Sequence, residues 1–322
     1  MKAIVTNKYG PPDVLQLTEV EKPIPKDNQV LVKIHASSLN FGNLVLLKGE
    51  PFIARFAFGL TKPKYRIPGG DISGRVEAVG KDVKQFQPGD EVFGDLSVCG
   101  WSGFAEYVAV PEHALALKPA NLSFEEAAAV PMAGVTALQG LRDKGKIQSG
   151  QKVLINGASG GLGTFAVQIA KSFGAEVTGV CSTRNIDILQ SIGADDVIDY
   201  TKEDVTKKTK TFDLIVGVNG HHSISDYKRL LNHNGTFVHV GGSGSQMFQA
   251  MALGPWISLT EKKKMGTFLQ RANQTDLIFM KELIEEGKVK PVIDRRYKLS
   301  EVKEAFNYFA EGHAQGKVVI SV

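Results

Sequence analysis

A glycine-rich segment in the middle of the chain has the residue types and spacing of a phosphate-binding turn. An apolar run ends at Asn156, and the loop Gly157-Ala-Ser-Gly160-Gly161-Leu-Gly163 follows it directly. Glycines at this spacing allow a tight strand-to-helix turn, let the backbone approach a pyrophosphate, and let the helix pack closely on the sheet. Free N–H groups at the start of the helix then favour an anion. We therefore predict a dinucleotide site here, although Ala158 replaces the first glycine of the strict G-x-G-x-x-G pattern.

The end of the second apolar strand indicates which dinucleotide binds. An NAD site usually carries Asp or Glu at this position, which accepts hydrogen bonds from the ribose hydroxyls. Here the strand ends at Cys181, and Ser182-Thr183-Arg184 follows. A guanidinium can bind a 2′-phosphate in bidentate fashion, and we therefore predict NADPH, held in part by Arg184. The alternative is that Arg184 only caps the next helix.

The elements around this loop predict two kinds of domain. The first 120 residues read as short strands separated by Gly and Pro, such as the alternating run Gln29–Ala36, and favour a compact β domain. Ser123 and Glu126 form a capping box that starts a helical stretch, which Pro131 interrupts. From Lys152 strands alternate with amphipathic helices, which predicts a parallel sheet covered by helices.

Composition excludes several classes of protein. The chain has 322 residues, 43% of them apolar and 22% charged, which is typical of a folded protein of two domains. No apolar run reaches the roughly 18–20 residues of a membrane span, and the first residues lack the apolar part of a signal peptide. Two cysteines cannot build a disulfide scaffold, and a net charge of +4 is too small to favour nucleic acid. We expect a cytoplasmic protein.

Segments that match one family run along nearly the whole chain. They are KYGPPDVLQLTEVEKP, SLNFGN, PGGDISGRVEAVG, PGDEVFG, GFAEYVAVP, EEAAAVPMAGVTAL, VLINGASGGLG, SIGADDVIDY and GKVVI. With them the chain resembles the zinc-free quinone oxidoreductase branch of the medium-chain dehydrogenase/reductase superfamily. The resemblance implies an α/β protein with a GroES-like β-barrel catalytic domain (residues 1–122, rejoined by 275–322) and a doubly wound Rossmann domain (residues 123–274). It also implies a cleft where they meet and a homodimer formed through the edge of the Rossmann sheet.

The resemblance also implies which residues contact NADPH. Carried over onto this sequence, they are Ser159, Gly160, Gly161 and Leu162 at the start of the helix, Ser182 and Arg184 after the second strand, Tyr200, Asn219, the loop Val240, Gly241 and Gly242, and Lys317 in the C-terminal tail.

The related zinc alcohol dehydrogenases use cysteine and histidine ligands that this chain lacks. Asn40 stands where that branch carries its first cysteine ligand, and Gly69-Gly70-Asp71 stands where it carries Gly-His-Glu. Only Cys99 lies in the region of the structural four-cysteine lobe. Because a catalytic zinc needs such ligands, we predict that no metal is bound.

Without a Lewis acid, a hydride acceptor must already be electrophilic, as quinones and α,β-unsaturated carbonyls are. We therefore predict hydride transfer from NADPH to a small apolar acceptor of this kind. Asn40 is the candidate hydrogen-bond donor to the developing oxyanion, with Asn43 and Thr136 as further candidates; Asn43 replaces an aspartate common in the family. Each has a structural alternative: a turn residue for Asn40 and a space-filling residue for Thr136.

Two questions stay open in the sequence. The apolar segment from Ser245 to Phe268 is interpreted as a wall over the substrate site or a subunit contact, with ordinary core as the alternative. The alternatives to the predicted activity are a zinc-free alcohol or carbonyl dehydrogenase and a non-catalytic NADPH-binding sensor or scaffold.

Overall fold

A computed structural model describes residues 1–207, 209–220, 222–241, 251 and 262–322 of the chain. Its strands, in chain order, are β1 (Lys2–Val5), β2 (Gln16–Glu19), β3 (Gln29–Ser38), β4 (Asp71–Val79), β5 (Glu91–Asp95), β6 (Tyr107–Pro111), β7 (Leu115–Leu117), β8 (Lys152–Asn156), β9 (Glu176–Cys181), β10 (Asp196–Asp199), β11 (Phe212–Gly217), β12 (Leu231–His239), β13 (Lys264–Thr267), β14 (Ile293–Lys298) and β15 (Lys317–Ser321).

The helices of the described residues alternate with strands in the middle of the chain and again near its C-terminus. They are α1 (Phe41–Lys48), α2 (Arg55–Phe58), α3 (Phe124–Ala128), α4 (Pro131–Leu138), α5 (Gly161–Ser172), α6 (Ile186–Ser191), α7 (Ile224–Leu230), α8 (Gln274–Glu285) and α9 (Val302–Ala310). Among these residues no helix combines the length and the apolar character needed to cross a bilayer.

Strands β3 to β7 and the C-terminal strands β14 and β15 share one sheet of seven strands, whereas β1 and β2 form a two-stranded sheet of their own. Strand β3 pairs antiparallel with β4, β6 and β15, and β15 pairs parallel with β14. The predicted alternation in β3 holds only in part: Val30, Val32 and Ile34 are buried and Lys33 is exposed, but Leu31 is buried as well, at 5% exposed. The pairing of Val319 with Ser38 brings the start of β15 next to the end of β3, where Asn40 follows.

A six-stranded parallel sheet forms in the middle of the chain. Its strand order is β10-β9-β8-β11-β12-β13, so the order reverses direction between β8 and β11. This is the doubly wound arrangement, in which ligands bind at the carboxyl ends of the strands near the point of reversal. Both faces are packed, and the core includes Leu154, Ile215 and Phe237. The predicted fold class is confirmed.

The described contacts divide the chain into two units. One comprises Met1–Ala133, Ala272–Glu285 and Pro291–Val322, and the other comprises Gly134–Arg271 and Glu286–Lys290. The sequence analysis assigned α3 to the Rossmann domain, but Ala128 and Ala129 at its end pack with Ala36 of β3 and Val319 of β15. Helix α3 therefore lies with the first unit.

Two local predictions about helices have different outcomes. The capping box is present, since Ser123 Oγ accepts from the Glu126 N–H and the Glu126 carboxylate accepts from the Ser123 N–H. The N-terminal residues were expected to form strands alone, yet α1 and α2 lie among them. The buried positions of α1, Asn43, Leu44, Leu46 and Leu47, do lie on one helical face. The apolar residues from Leu44 to Leu47 are consecutive, however, so the sequence alone shows no helical period there.

Candidate cofactor site and candidate active site

The parallel sheet presents one row of strand ends to the predicted nucleotide residues. Strands β8, β9, β10, β11 and β12 end at Asn156, Cys181, Asp199, Gly217 and His239. Since parallel strands end at the same edge of a sheet, the turns after these residues share that edge. The predicted residues from Gly157 to Gly241 all lie in these turns or in the first three residues of α5, and Gly242 lies outside the described residues.

Three glycines of the turn after β8 serve different purposes. Gly157 has φ +87°, and a Cβ on it would lie 2.7 Å from the Asn219 nitrogen. A Cβ on Gly163 would lie 2.2 Å from the Gly157 carbonyl oxygen, so glycine there lets α5 pack against the turn. A Cβ on Gly160 would meet no protein atom closer than 3.9 Å. Gly160 therefore leaves open space at the N-terminus of α5.

That open space fits a dinucleotide phosphate. Helix α5 is twelve residues long and begins at Gly161, with Gly160 as its extended N-cap. Gly160 has no side chain to accept from the first N–H groups of the helix, so these donors remain for an anion. The turn thus has both the donors and the space that a pyrophosphate needs, and Gly157, Ser159, Gly160, Gly161, Leu162 and Gly163 would hold it.

Asn185 links the first and second turns, and the sequence analysis missed it. Its Nδ2 donates to Ser159 Oγ at 2.9 Å and to Ser182 Oγ at 3.2 Å, and the residue is only 5% exposed. Its Oδ1 is buried and has no hydrogen-bond partner in the described part of the chain. The position of Asn185, three residues after Ser182 at the end of β9, is the sequence feature that could have indicated this contact.

Arg184 and Tyr200 are both exposed, and an acidic side chain lies beside them. Asp199 Oδ2 accepts from the Thr183 hydroxyl at 2.5 Å, in the same turn as Arg184. The hydrogen bond from Thr183, with others from Thr201, lowers the pKa of Asp199 to about 2. The sequence analysis found no acid at the end of β9; the structure supplies an ionised carboxylate from the end of β10 instead.

The remaining nucleotide candidates lie on the other side of the reversal point. Asn219 donates its N–H to the Asn156 carbonyl at 3.1 Å, which holds it over Gly157. Val240 donates its N–H to the Gly217 carbonyl at 3.0 Å. A Cβ on Gly241 would lie 2.8 Å from the Val218 carbonyl oxygen, so the chain turns close to its neighbour there.

Asn40 belongs to a second polar cluster, in the GroES-like unit. Asn40 is the N-cap of α1, Asp71 is the first residue of β4, and Lys317 is the first residue of β15. Lys317 Nζ donates to Asn40 Oδ1 at 2.5 Å and to the Leu39 carbonyl at 3.0 Å. Asn40 Nδ2 donates to Asp71 Oδ2 at 2.8 Å. The amide is thus held between a cation at its oxygen and a carboxyl group at its nitrogen.

The charges in this cluster are deeply buried. Asp71 is 0% exposed and Lys317 is 2% exposed, and their charged atoms are 3.7 Å apart. Burial raises the pKa of Asp71 to about 6, against the opposing effect of the Lys317 charge. Burial also lowers the pKa of Lys317. Asp71 is steadied further by the Ser38 hydroxyl at 3.0 Å and the Met132 N–H at 3.0 Å.

The other three candidates differ in what their side chains contact. Asn43 is fully buried: its Oδ1 accepts from the Asn40 N–H at 2.7 Å and its Nδ2 donates to the Pro68 carbonyl at 2.5 Å. These contacts fix the start of α1, so the observed role of Asn43 is structural. Thr136 is half-buried on α4. Lys317, expected at the cofactor, donates to the Leu39 carbonyl and to Asn40 Oδ1 and forms an ion pair with Asp71 at 3.7 Å.

Two further sequence predictions concern metals and the segment after β12. Within the described residues no group of three or more His, Cys, Asp or Glu side chains is arranged to hold a metal ion. The interpretation of residues 245–268 falls largely outside the described residues, since only 251 and 262–268 are described.

Comparisons with known proteins match both domains. A family described as "Alcohol dehydrogenase GroES-like domain" matches residues 26–120, and one described as "Zinc-binding dehydrogenase" matches residues 192–320. The chain is 35% identical to the chloroplast envelope quinone oxidoreductase homolog of Arabidopsis thaliana, covering 99% of this chain and 98% of that one. It is 37% identical to a 2-methylene-furan-3-one reductase of Solanum lycopersicum, covering 99% and 79%.

A solved structure agrees with these relatives. The quinone oxidoreductase from Coxiella burnetii has a TM-score of 0.87 and 31% identity, and the match covers 100% of this chain and 99% of that one. The paired GroES-like and doubly wound domains define a medium-chain dehydrogenase/reductase. Within that superfamily, this chain belongs to the branch of the quinone oxidoreductases and enone reductases. Members of the superfamily use a nicotinamide cofactor, and the turn at Gly160 fits one.

Replacing Gly160 by alanine tests the phosphate site. Its φ of −78° tolerates a side chain and the added Cβ meets no close protein atom, so G160A should keep the wild-type thermal unfolding temperature. We expect NADPH binding to weaken roughly ten-fold or more, since the Cβ would block backbone donors from a charged ligand. Fluorescence titration and differential scanning fluorimetry measure the two effects. The comparison variant G163A should lower the unfolding temperature; unchanged NADPH affinity in G160A would contradict the assignment.

Replacing Lys317 by methionine tests the buried pair. K317M leaves Asp71 buried without its cation, which costs about 3–5 kcal/mol when the carboxyl is ionised. The Lys317 charge lowers the pKa of Asp71, so its removal raises that pKa further, and the variant goes on losing stability at pH values where the wild type no longer does. The difference in free energy of unfolding between wild type and K317M, measured with urea, should therefore be larger at pH 8 than at pH 5.

The double variant D71N/K317M should recover much of the lost stability and lose the pH dependence between pH 5 and 8. K303M, at an exposed lysine of α9, is the matched control and should be near neutral. The coupling between Asp71 and Lys317 would be refuted if K317M lost the same free energy of unfolding at both pH values. It would also be refuted if adding D71N did not restore stability.

Proposed function

We propose that this protein is a zinc-independent, NADPH-dependent reductase that transfers hydride to a quinone or to an α,β-unsaturated carbonyl. The single observation that carries the proposal is the Asn40–Asp71–Lys317 cluster. Asn40 stands where the zinc alcohol dehydrogenases carry a cysteine ligand, and Asp71 directly follows Gly70, which stands where they carry a histidine ligand. Here Asn40 binds both Lys317 and Asp71. The names of the Arabidopsis and Solanum relatives support the two acceptor classes.

When bound, NADPH supplies the hydride. The chain's own contribution is to bind the acceptor oxygen on which negative charge develops. Asn40 Nδ2 has two N–H groups, and of the described residues only Asp71 accepts from them. The second N–H can donate to that oxygen, and a donor fixed in advance is worth most in a site from which water is excluded. Solvent supplies the proton that completes the reduction.

Lys317 and Asp71 act as positioning residues for this donor. With a cation at Oδ1 and a carboxyl group at Nδ2, rotation of the amide by 180° would place the Asn40 oxygen against Asp71 and its nitrogen against Lys317. That orientation loses both hydrogen bonds, so the donor stays where it is. Asn43 adds to this by holding the Asn40 N–H.

The proposal also includes the preference for NADPH and a homodimer. Arg184 is exposed in the turn after β9, and no acid stands at the end of that strand. Asp199 opposes a phosphate through its charge, but its oxygens are turned to the Thr183 and Thr201 hydroxyls. We propose dimerisation through the edge of the parallel sheet, where β13 is the outer strand. The cytoplasmic location stays a prediction, since the Arabidopsis relative is named for the chloroplast envelope.

The activity is tested by following NADPH oxidation with chelator-treated protein against a medium-chain 2-alkenal and a simple quinone. We expect turnover that the chelator leaves unchanged. N40A should lower kcat by about 10²-fold, the usual effect of losing an oxyanion donor, and N307A, at an exposed asparagine of α9, should have no effect. Turnover lost with the chelator, or found only in alcohol oxidation, would contradict the proposal. NADPH binding without turnover would favour a binding protein.

Replacing Arg184 by alanine tests the cofactor preference. If the guanidinium binds the 2′-phosphate, R184A should raise the KM for NADPH roughly ten-fold or more, the value of a charge-assisted hydrogen bond, and leave the KM for NADH within two-fold. Initial rates with both cofactors measure this. K202A is the matched control, because Lys202 is an exposed cation that pairs with Asp199 at 3.6 Å. Equal effects of R184A on both cofactors would refute the assignment.

A further inference from the structure

Large apolar side chains are exposed on a short segment of the GroES-like unit, between α1 and β4. Phe52 is 63% exposed, Ile53 71%, Phe56 71% and Leu60 54%. They lie on the single turn Phe52–Ala54, on α2 and on the residues directly after it. A soluble protein seldom clusters exposed apolar side chains in this way without a partner for them.

The segment is held in place, so the exposure has a structural basis. Phe58 points the other way and packs edge-on against the buried Trp101 ring, with centroids 6.1 Å apart. The Arg55 Nε donates to the Gly49 carbonyl at 3.0 Å, and the Tyr9 hydroxyl donates to the Gly59 carbonyl. These anchors fix one side of the segment to the domain and leave Phe52, Phe56 and their neighbours facing outwards.

Basic side chains stand directly beside the apolar ones. The chain carries no acidic residue between Glu50 and Asp71, but has Arg55, Lys62, Lys64 and Arg66. Gly59 has φ +112°, and a Cβ on it would lie 2.2 Å from the Lys62 carbonyl oxygen, so the chain folds back tightly there. The Lys64 N–H donates to the Phe58 carbonyl at 2.6 Å. The turn therefore returns the lysines to the end of α2.

The basic residues line a concavity of about 690 Å³ together with Leu60 and Asn7. Lys62 and Lys64 are exposed, and none of the ion pairs among the described residues involves them. Arg66 donates to the Asn7 side chain at 2.9 Å and is also without an acidic partner there. Three positively charged side chains without an acidic partner among the described residues thus border the exposed apolar side chains.

We propose that residues 51–66, which we call the apolar–basic face, dock on the surface of an anionic phospholipid membrane. Interfacial segments bind membranes by burying apolar side chains at the level of the headgroups while Lys and Arg attract anionic lipids. Phe52, Ile53 and Phe56 are the apolar side chains that would be buried. Lys62, Lys64 and Arg66 are the cations that would attract anionic lipids. The face would lie on the membrane without spanning it.

The charge and the apolar side chains together favour a membrane over two other partners, a second copy of this chain and a small soluble anion. A symmetric dimer formed through the same face would bring the basic residues of both copies into one interface, and residues 51–66 contain no acidic side chain to pair with them. A small soluble anion would use the lysines but leave the phenylalanines exposed. An anionic lipid surface matches both features. Docking would bring the protein to lipid-soluble acceptors, but the inference does not depend on the proposed function.

The test is co-sedimentation of the full-length protein with vesicles of phosphatidylcholine alone and of phosphatidylcholine with phosphatidylglycerol at 7:3. We expect binding only to the anionic vesicles and loss of binding in high salt. K62Q/K64Q should weaken the apparent affinity roughly 30-fold, from about one kcal/mol for each lysine. F52S/F56S should weaken it roughly ten-fold or more, through lost apolar burial.

Matched substitutions elsewhere complete the design. K84Q/K303Q removes two exposed lysines, and I24S/L269S removes two side chains that are 88% and 85% exposed. Both controls should bind like wild type, and all variants should keep the wild-type thermal unfolding temperature. The proposal is overturned by absence of binding to anionic vesicles, by equal losses in face and control variants, or by a wild-type oligomer that F52S/F56S converts to monomers in light scattering. Binding of free inorganic phosphate with no vesicle binding would also overturn it.

Discussion

A buried lysine and a buried aspartate join three distant parts of the GroES-like unit. Lys317 opens the last strand, Asp71 opens β4, and Asn40 caps the helix after β3, so their contacts connect residues about 280 positions apart in the chain. Neither charge is stable in the interior alone, because each leaves water at a cost of several kcal/mol. The three residues therefore require one another, and the pairing of β15 with β3 is what brings them together.

The same arrangement explains how a polar site can exist without metal ligands. A zinc centre holds its ligands by coordination, and its charge stabilises an oxyanion. Here a fixed lysine supplies the positive charge, and the amide of Asn40 lies between that charge and the Asp71 carboxyl. In the proposed function, Asn40 is a fixed hydrogen-bond donor, which suits acceptors whose own electronic structure spreads the negative charge.

In the unit with the parallel sheet, the turn after β8 is constrained differently, by the close approach of backbone atoms. Gly157 and Gly163 are required because side chains there would meet the Asn219 backbone and the Gly157 carbonyl. Gly160 is not crowded, so the packing of the fold does not itself require a glycine there. Asn185 then ties the first turn to the second through Ser159 and Ser182. Packing sets the shape of the turn, and polar side chains fix the loops around it.

The sequence by itself determined the fold class, the glycine turn and the capping box at Ser123. Each depends on neighbours within about 20 residues, whose periodicity and turn chemistry are visible locally. Helix α1 was missed because its apolar residues are consecutive and its buried face includes the polar Asn43. Only the tertiary structure decided that Lys317 binds Asn40 and Asp71, that Asp199 lies beside the turn of Arg184, and that Asn185 joins two loops. These contacts join residues that are far apart in the chain or lie on different strands, and strand pairing and burial, not local spacing, select them.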